Sequence, residues 1–233
     1  MSVYILTGDL CIKNHFNPIL QSFESDIASD TKSLVRKDLP PGQMIKIISK
    51  NLPVIHVRSE DDSVTEGLTA FKTARSFKEE WHSGVVWCYF GISNFQYSYL
   101  NVLHPYSIRH YSSLLHAFWL DTNDVFHVDF EKNYMHVFCK KNGSFLFYNK
   151  LFFENDVDVH YHLALVQKEV LQSTDETEII FSGEISQDSR IMKTLGVYYS
   201  KIRFVNEKKS DFIVNGKVID PLYFDKYLGM VCV

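Results

Sequence analysis

Val125-Phe126-His127-Val128-Asp129-Phe130, running on into Glu131-Lys132-Asn133, opens the most regular stretch of this 233-residue sequence. Its apolar, β-branched and aromatic residues predict a strand over 124–130. Tyr134–Cys139 predicts a second strand, with Met135, Val137 and Cys139 alternating against Tyr134, His136 and Phe138. Lys141-Asn142-Gly143 supplies the next turn, because Asn-Gly readily takes positive φ. Ser144–Leu151 is a third strand, and the three make an antiparallel meander. Beyond it Val159, Leu163, Val166 and Val170 recur at i, i+4, i+7 and i+11, on one face of a helix. Glu178–Ser182 is a short strand that ends at Gly183. Ile191, Met192, Leu195, Tyr198 and Tyr199 restore the helical period, and Lys201–Val205 closes as a strand. The order is β-β-β-α-β-α-β.

Upstream the pattern is less even. Val3–Leu6, Ile45–Ile48 and Val54–Val57 predict short strands, and Val85–Ile92 a strand buried on both faces. Thr65–Trp81 predicts a helix with Thr65 as N-cap, and Tyr106–Leu120 another after Pro105. Pro40-Pro41-Gly42 punctuates the chain, and Arg58-Ser59-Glu60-Asp61-Asp62-Ser63 reads as an exposed loop.

Composition sets the outer bounds. Hydrophobic residues make up 45% and charged residues 22%, which excludes wholesale disorder. A net charge of −4 argues against a large DNA or RNA footprint, so no nucleic-acid partner is expected. The clusters Trp87-Cys88-Tyr89-Phe90 and Phe95-Gln96-Tyr97-Ser98-Tyr99 lack the positive groove that base stacking wants, and read as packing. No stretch reaches the ~20 apolar residues that span a bilayer, and Met1–Asp9 has neither the basic nor the apolar region of a signal peptide. Cys11, Cys88, Cys139 and Cys232 form no CxxC pair and sit among apolar neighbours, as reduced core thiols do. Together these point to the cytoplasm. Neither HExxH, GxSxG, a Walker A loop nor GxGxxG occurs. His160 and His162, two apart on a helix, cannot form an i, i+4 zinc pair; His127 and His136 lie on adjacent strands within reach of a pair across them, but solvated or hydrogen-bonded structural histidines are the favoured reading.

The β-β-β-α-β-α-β order, with its strand–turn–strand opening and a strand ending in glycine before a helix, resembles one lobe of the actin-like ATPase fold. That superfamily includes sugar kinases, Hsp70 chaperones and actin. More narrowly, residues 124–206 resemble an uncharacterised family of Bacteroidetes proteins with a degenerate form of the fold. The resemblance rests on Val125–Phe130, Gly143-Ser144-Phe145-Leu146-Phe147-Tyr148-Asn149, Asp156 with His160-Tyr161, and Ile179-Ile180-Phe181-Ser182-Gly183-Glu184-Ile185. It implies an α/β fold of two ribonuclease-H-like lobes in an actin-like ATPase arrangement. The first lobe, residues 1–120, would be reduced or irregular, and the second would span 121–233.

The resemblance also implies where a nucleotide would sit. Active members wrap the phosphates in a strand–turn–strand, with an Asp holding Mg²⁺ through water and small residues letting backbone N–H groups approach. Here Asp129 matches the acidic position, but Phe130-Glu131-Lys132-Asn133 follow without glycine, and Glu131 would repel phosphate. A hairpin with an exposed charged turn explains the same residues. In the first lobe Gly8 and Asp9 are the matching candidates, and a plain strand-ending turn accounts for them equally. The adenosine motif keeps Gly183 but carries Glu184 in place of a second glycine; Gly183 would also serve simply to end the strand. Two functions follow. One is a non-catalytic interaction or regulatory protein with a degenerate cleft, an unidentified protein partner and no cofactor. The other is an ATP- and Mg-binding protein with weak ATPase or kinase activity, using Asp129, Asp9 and Gly183. The tail Asp220–Val233 is apolar and reads as a packed strand or helix, or as a docking segment.

Overall fold

The computed structural model describes residues 2–7, 10–17, 22–28, 45–50, 54–58, 64, 68, 75–81, 86–94, 97, 107–172, 177–206, 213–214, 217–218 and 220–231. Of these, residues 2–7, 10–17, 22–28, 45–47, 213–214, 217–218 and 229–231 are described by their backbone alone. The chain divides into two compact units, one of Met1–Phe118 with Asp225–Val233, the other of Trp119–Phe224.

The second unit is a five-stranded sheet. β9 (Val125–Glu131), β10 (Tyr134–Lys141) and β11 (Ser144–Phe152) form the antiparallel meander. β12 (Ile179–Gly183) and β13 (Ile202–Phe204) add in parallel beyond β9, giving the order β11-β10-β9-β12-β13. The β10–β11 turn carries positive φ at Asn142 (52°) and Gly143 (75°), as Asn-Gly allows. Two helices cover one face: α2 (Asp156–Val166), continued by a π turn over Gln167–Leu171, and α3 (Arg190–Tyr198). The Asn155 side chain caps α2 by accepting from the amides of Val157 and Asp158, and Ser189 caps α3 from Met192. Phe126, Val128 and Phe130 of β9 alternate into the core beneath Val159, Leu163 and Leu195. Each such side chain, once fully buried, contributes about 1.5–3 kcal/mol.

The first unit repeats this order. β1 (Ser2–Thr7), β2 (Leu10–Asn17) and β3 (Ser22–Ala28) are an antiparallel meander. β4 (Ile45–Ser49) and β8 (Ser107–His110) then join in parallel, as β3-β2-β1-β4-β8. The sheet is therefore complete and not reduced. Its irregularity is an antiparallel insert between β4 and β8, made of β5 (Val54–Val57), β6 (Arg75–Trp81) and β7 (Val86–Ile92) in the order β5-β7-β6. Tyr89 and Phe90 of β7 are fully buried, so this aromatic cluster is core; of the second cluster, Tyr97 is described and accepts from Arg75 through its hydroxyl at 3.2 Å. Lys50, just past β4, is 3% exposed, ion-paired to Asp225 at 2.8 Å and seated 4.5 Å from the Tyr111 ring centre.

Two helix expectations need correction. The helix predicted over 65–81 is helical at Val64 and Leu68, while Arg75–Trp81 is strand β6; Thr65 lies outside the described residues. All seven residues of β6 pair with β7, and the period from Phe77 is two: Phe77, Glu79 and Trp81 turn inward, Lys78 and Glu80 outward. The inward Glu79 hid the pattern. It is tolerated because Arg109 Nε (3.1 Å) and the His110 amide (2.7 Å) donate to its carboxylate. The helix predicted over 106–120 begins only at Tyr111, as α1 (Tyr111–Phe118), because Ser107–His110 is claimed by pairing with β4. The tail is helix α4 (Phe224–Val231), entered through a 3₁₀ turn capped by Asp220, and Phe224, Tyr227 and Leu228 are buried. Pro40-Pro41-Gly42 and residues 59–63 lie outside the described residues, as does Cys232; Cys11 is described by backbone alone. Cys88 and Cys139 are buried free thiols.

Candidate functional site

In the second unit the site grows from strand register. β9 and β12 run parallel with Asp129 opposite Ser182 and Phe130 opposite Gly183. His127, two residues before Asp129, shares its face. The face that turns away from α2 and α3 therefore carries a line of polar groups. Ser182 Oγ donates to Asp129 Oδ1 at 2.6 Å, and His127 Nε2 lies 2.9 Å from the same hydroxyl. Since the serine proton goes to Asp129, His127 must donate from Nε2, which leaves Nδ1 as a lone pair with no partner among the described residues. All three residues are sealed, His127 and Ser182 at 0% and Asp129 at 1% exposure. Trp119 and Phe224 enclose the imidazole, with ring centres 5.7 and 4.9 Å away.

Gly183 is required by the chain itself. It takes φ +83°, and a Cβ there would collide with the Phe130 carbonyl oxygen and come within 2.7 Å of the Phe130 nitrogen. Its neighbour Glu184 donates its amide to Phe130 O (2.8 Å) and accepts from the Lys132 amide through Oε2 (3.2 Å). The two-residue turn at Lys132-Asn133, with φ 47° at Lys132, thus already holds a carboxylate on its backbone N–H. His127 and His136 do not pair: His136 contacts Tyr148 Oη (2.8 Å) and Glu131 Oε2 (3.1 Å) instead. His160 stacks on Tyr198, and His162 donates to the Phe152 carbonyl. Gly8 and Asp9 lie outside the described residues. Among the described residues no three His, Cys, Asp or Glu side chains gather as a metal set.

The first unit has a second polar network that sequence reading missed, because its members lie up to 56 residues apart. Ser112 Oγ sits 2.9 Å from His56 Nε2, 2.7 Å from His110 Nδ1 and 3.6 Å from Cys88 Sγ. The spacing is that of a nucleophile beside a base. Yet Ser112, His110 and Cys88 have no exposed surface, and burial pushes the Cys88 thiol far up, leaving it protonated and inert. The network locks β5, β7 and α1 together.

Burial drives both central imidazoles to about pH 3. For His56 the cost of desolvation comes first and His116 adds to it; for His127 desolvation is followed by Arg203 and His136. An unfolded histidine titrates near 6.5, so between 6.5 and 3 the unfolded chain binds more protons. The stabilisation is full above 6.5 and is lost as pH falls towards 3. Melting temperature should drop between pH 7.5 and 5.5, by the equivalent of about 1 kcal/mol per histidine. His127→Gln should shrink that drop, as read by calorimetry at the two pH values.

Three antiparallel strands followed by two parallel ones, twice in one chain, with a strand-ending glycine beside a buried Asp, define a protein of the actin-like ATPase fold. A crystal structure from Bacteroides thetaiotaomicron VPI-5482, a protein of actin-like ATPase fold and unknown function, superposes with a TM-score of 0.72 at 17% identity, covering 100% of this chain and 95% of that one. A PilM–PilN type IV pilus biogenesis complex gives 0.59 at 10% identity, over 98% and 93%. No curated protein matches the chain. Residues 89–202, just under half of the chain, match the family described as "Protein of unknown function (DUF3822)". Among the described residues no helix is long and apolar enough to cross a membrane.

Proposed function

We propose that the chain is an interaction or regulatory protein, a non-catalytic form of the fold with a degenerate nucleotide cleft. Its two units read as ribonuclease-H-like lobes divided near residue 120. The observation that carries this reading is the burial of Asp129, 1% exposed with Oδ1 engaged by Ser182. A carboxylate that positions Mg²⁺ through water needs solvent around it. Gly183 and the Lys132 amide support the same reading, because Phe130 and Glu184 of this chain occupy the approaches that a base and a phosphate would use. The fold is suited to such work, since PilM–PilN is itself a protein–protein complex. The free thiols Cys88 and Cys139 are in keeping with a cytoplasmic site of action.

Melting curves with ATP or ADP and Mg²⁺ at about 1 mM test this. A ligand that binds only the folded state at ~100 times its Kd adds about 2.7 kcal/mol, a shift of several degrees. No shift is the expected result. A Mg²⁺-dependent rise would overturn the reading and return Asp129, Gly183, Gly8 and Asp9 to the role of nucleotide contacts.

A further inference from the structure

Helix α2 is apolar on two opposite faces. Val159, Leu163 and Val166 are buried in the core, whereas Val157, Tyr161 and Leu165 are 62%, 61% and 45% exposed. The latter are spaced by four and form one stripe along the outside of the helix. A surface helix ordinarily turns polar residues outward, and one that is apolar all round is covered on both sides. Helix α3 widens the patch with Val197 (78% exposed) and Tyr198 (60%), the Tyr198 ring stacked 3.8 Å from His160 of α2. Exposed apolar side chains gathered in this way mark an interaction surface.

The charges at the ends of the stripe indicate what covers it. Glu154 stands exposed seven residues before Tyr161, and Lys168, 82% exposed, seven residues after it. A second copy laid antiparallel across Tyr161 brings Val157 opposite its Leu165, and sets the end that carries Glu154, the residue before the Asn155 cap, against the end that carries Lys168 in the π turn, twice by symmetry. The same arrangement sets the positive end of each helix dipole against the negative end of the other. The contact of Lys168 with Glu169 at 3.3 Å is between two exposed groups and holds the lysine only weakly. Apolar stripe and flanking charges are thus self-complementary about one point, which is the requirement of a two-fold interface.

We propose that the outer face of α2 and the end of α3 form a homodimer interface, with two α2 helices packed antiparallel about Tyr161. Sedimentation velocity of the full chain from about 1 to 100 µM, the range in which a micromolar Kd is read, should show a concentration-dependent dimer. Tyr161→Glu should abolish it and leave the melting temperature of the monomer unchanged, since that side chain stands in solvent. Glu154→Lys should weaken the dimer at least several-fold, and Glu154→Lys combined with Lys168→Glu should restore it. A monomer throughout the range overturns the proposal and leaves the face to a different protein. A dimer indifferent to Tyr161→Glu, or one that the double charge swap fails to rescue, overturns it as well.

Discussion

Gly183→Ala should unfold or nearly unfold the second unit, with a loss of about 4 kcal/mol or more, the class reserved for backbone collisions and broken buried networks. Two costs add. The residue sits at φ +83°, where an L side chain is strained by about 1–3 kcal/mol. The new Cβ would also meet the Phe130 carbonyl and amide, which are rigid strand backbone, and it would lie 2.9 Å from Asp129 Oδ1. β9 is the strand that both β10 and β12 pair with, so it cannot move without breaking two ladders. The measurement is chemical denaturation of wild type and variant, or their soluble yield if the variant cannot be purified. A variant within about 1 kcal/mol of wild type would mean that the close approach at Phe130 is not a real constraint.

Asp129→Ala is expected to cost about 3 kcal/mol. The Ser182 hydroxyl would lose its acceptor in a fully buried place, and its bond to His127 would have to be remade. Orphaning a buried donor costs more than the bond it made, about 1–3 kcal/mol for a neutral group and more where a carboxylate is the partner. Ser182→Ala made together with Asp129→Ala should recover part of the loss, because it removes the orphaned hydroxyl. That recovery separates a structural Asp from a Mg²⁺ site. If the single variant were as stable as wild type but no longer responded to Mg²⁺ and nucleotide, the role of Asp129 would be ligand binding.

The second unit could be read from the sequence because its elements are contiguous and each has a clean period. The register that matters could not. Asp129 and Gly183 stand out as residue types, but only the parallel pairing of β9 with β12 brings Ser182 to Asp129 and Gly183 to Phe130. The first unit was obscured for a different reason. Its β4 and β8 are neighbours in space, yet three strands intervene in sequence, and one of them carries Glu79 on its inward face. A charged residue at a core position reads as surface until the Arg109 and His110 groups that satisfy it are known. His56 and Ser112 likewise belong together only once β5 and α1 have been placed.

The ion pair between Lys50 and Asp225 has a consequence for how the chain is born. The unit that starts first cannot finish first, because Asp225 belongs to it and leaves the ribosome only after all of Trp119–Phe224. At about 5–20 residues per second, the ammonium of Lys50 waits roughly 9–35 s for its carboxylate. The later unit meanwhile has every strand it needs. Vectorial synthesis therefore reverses the order of completion, and chains ending just before Asp225, once released from the ribosome, should show a protease-resistant second unit beside a first one that is not closed.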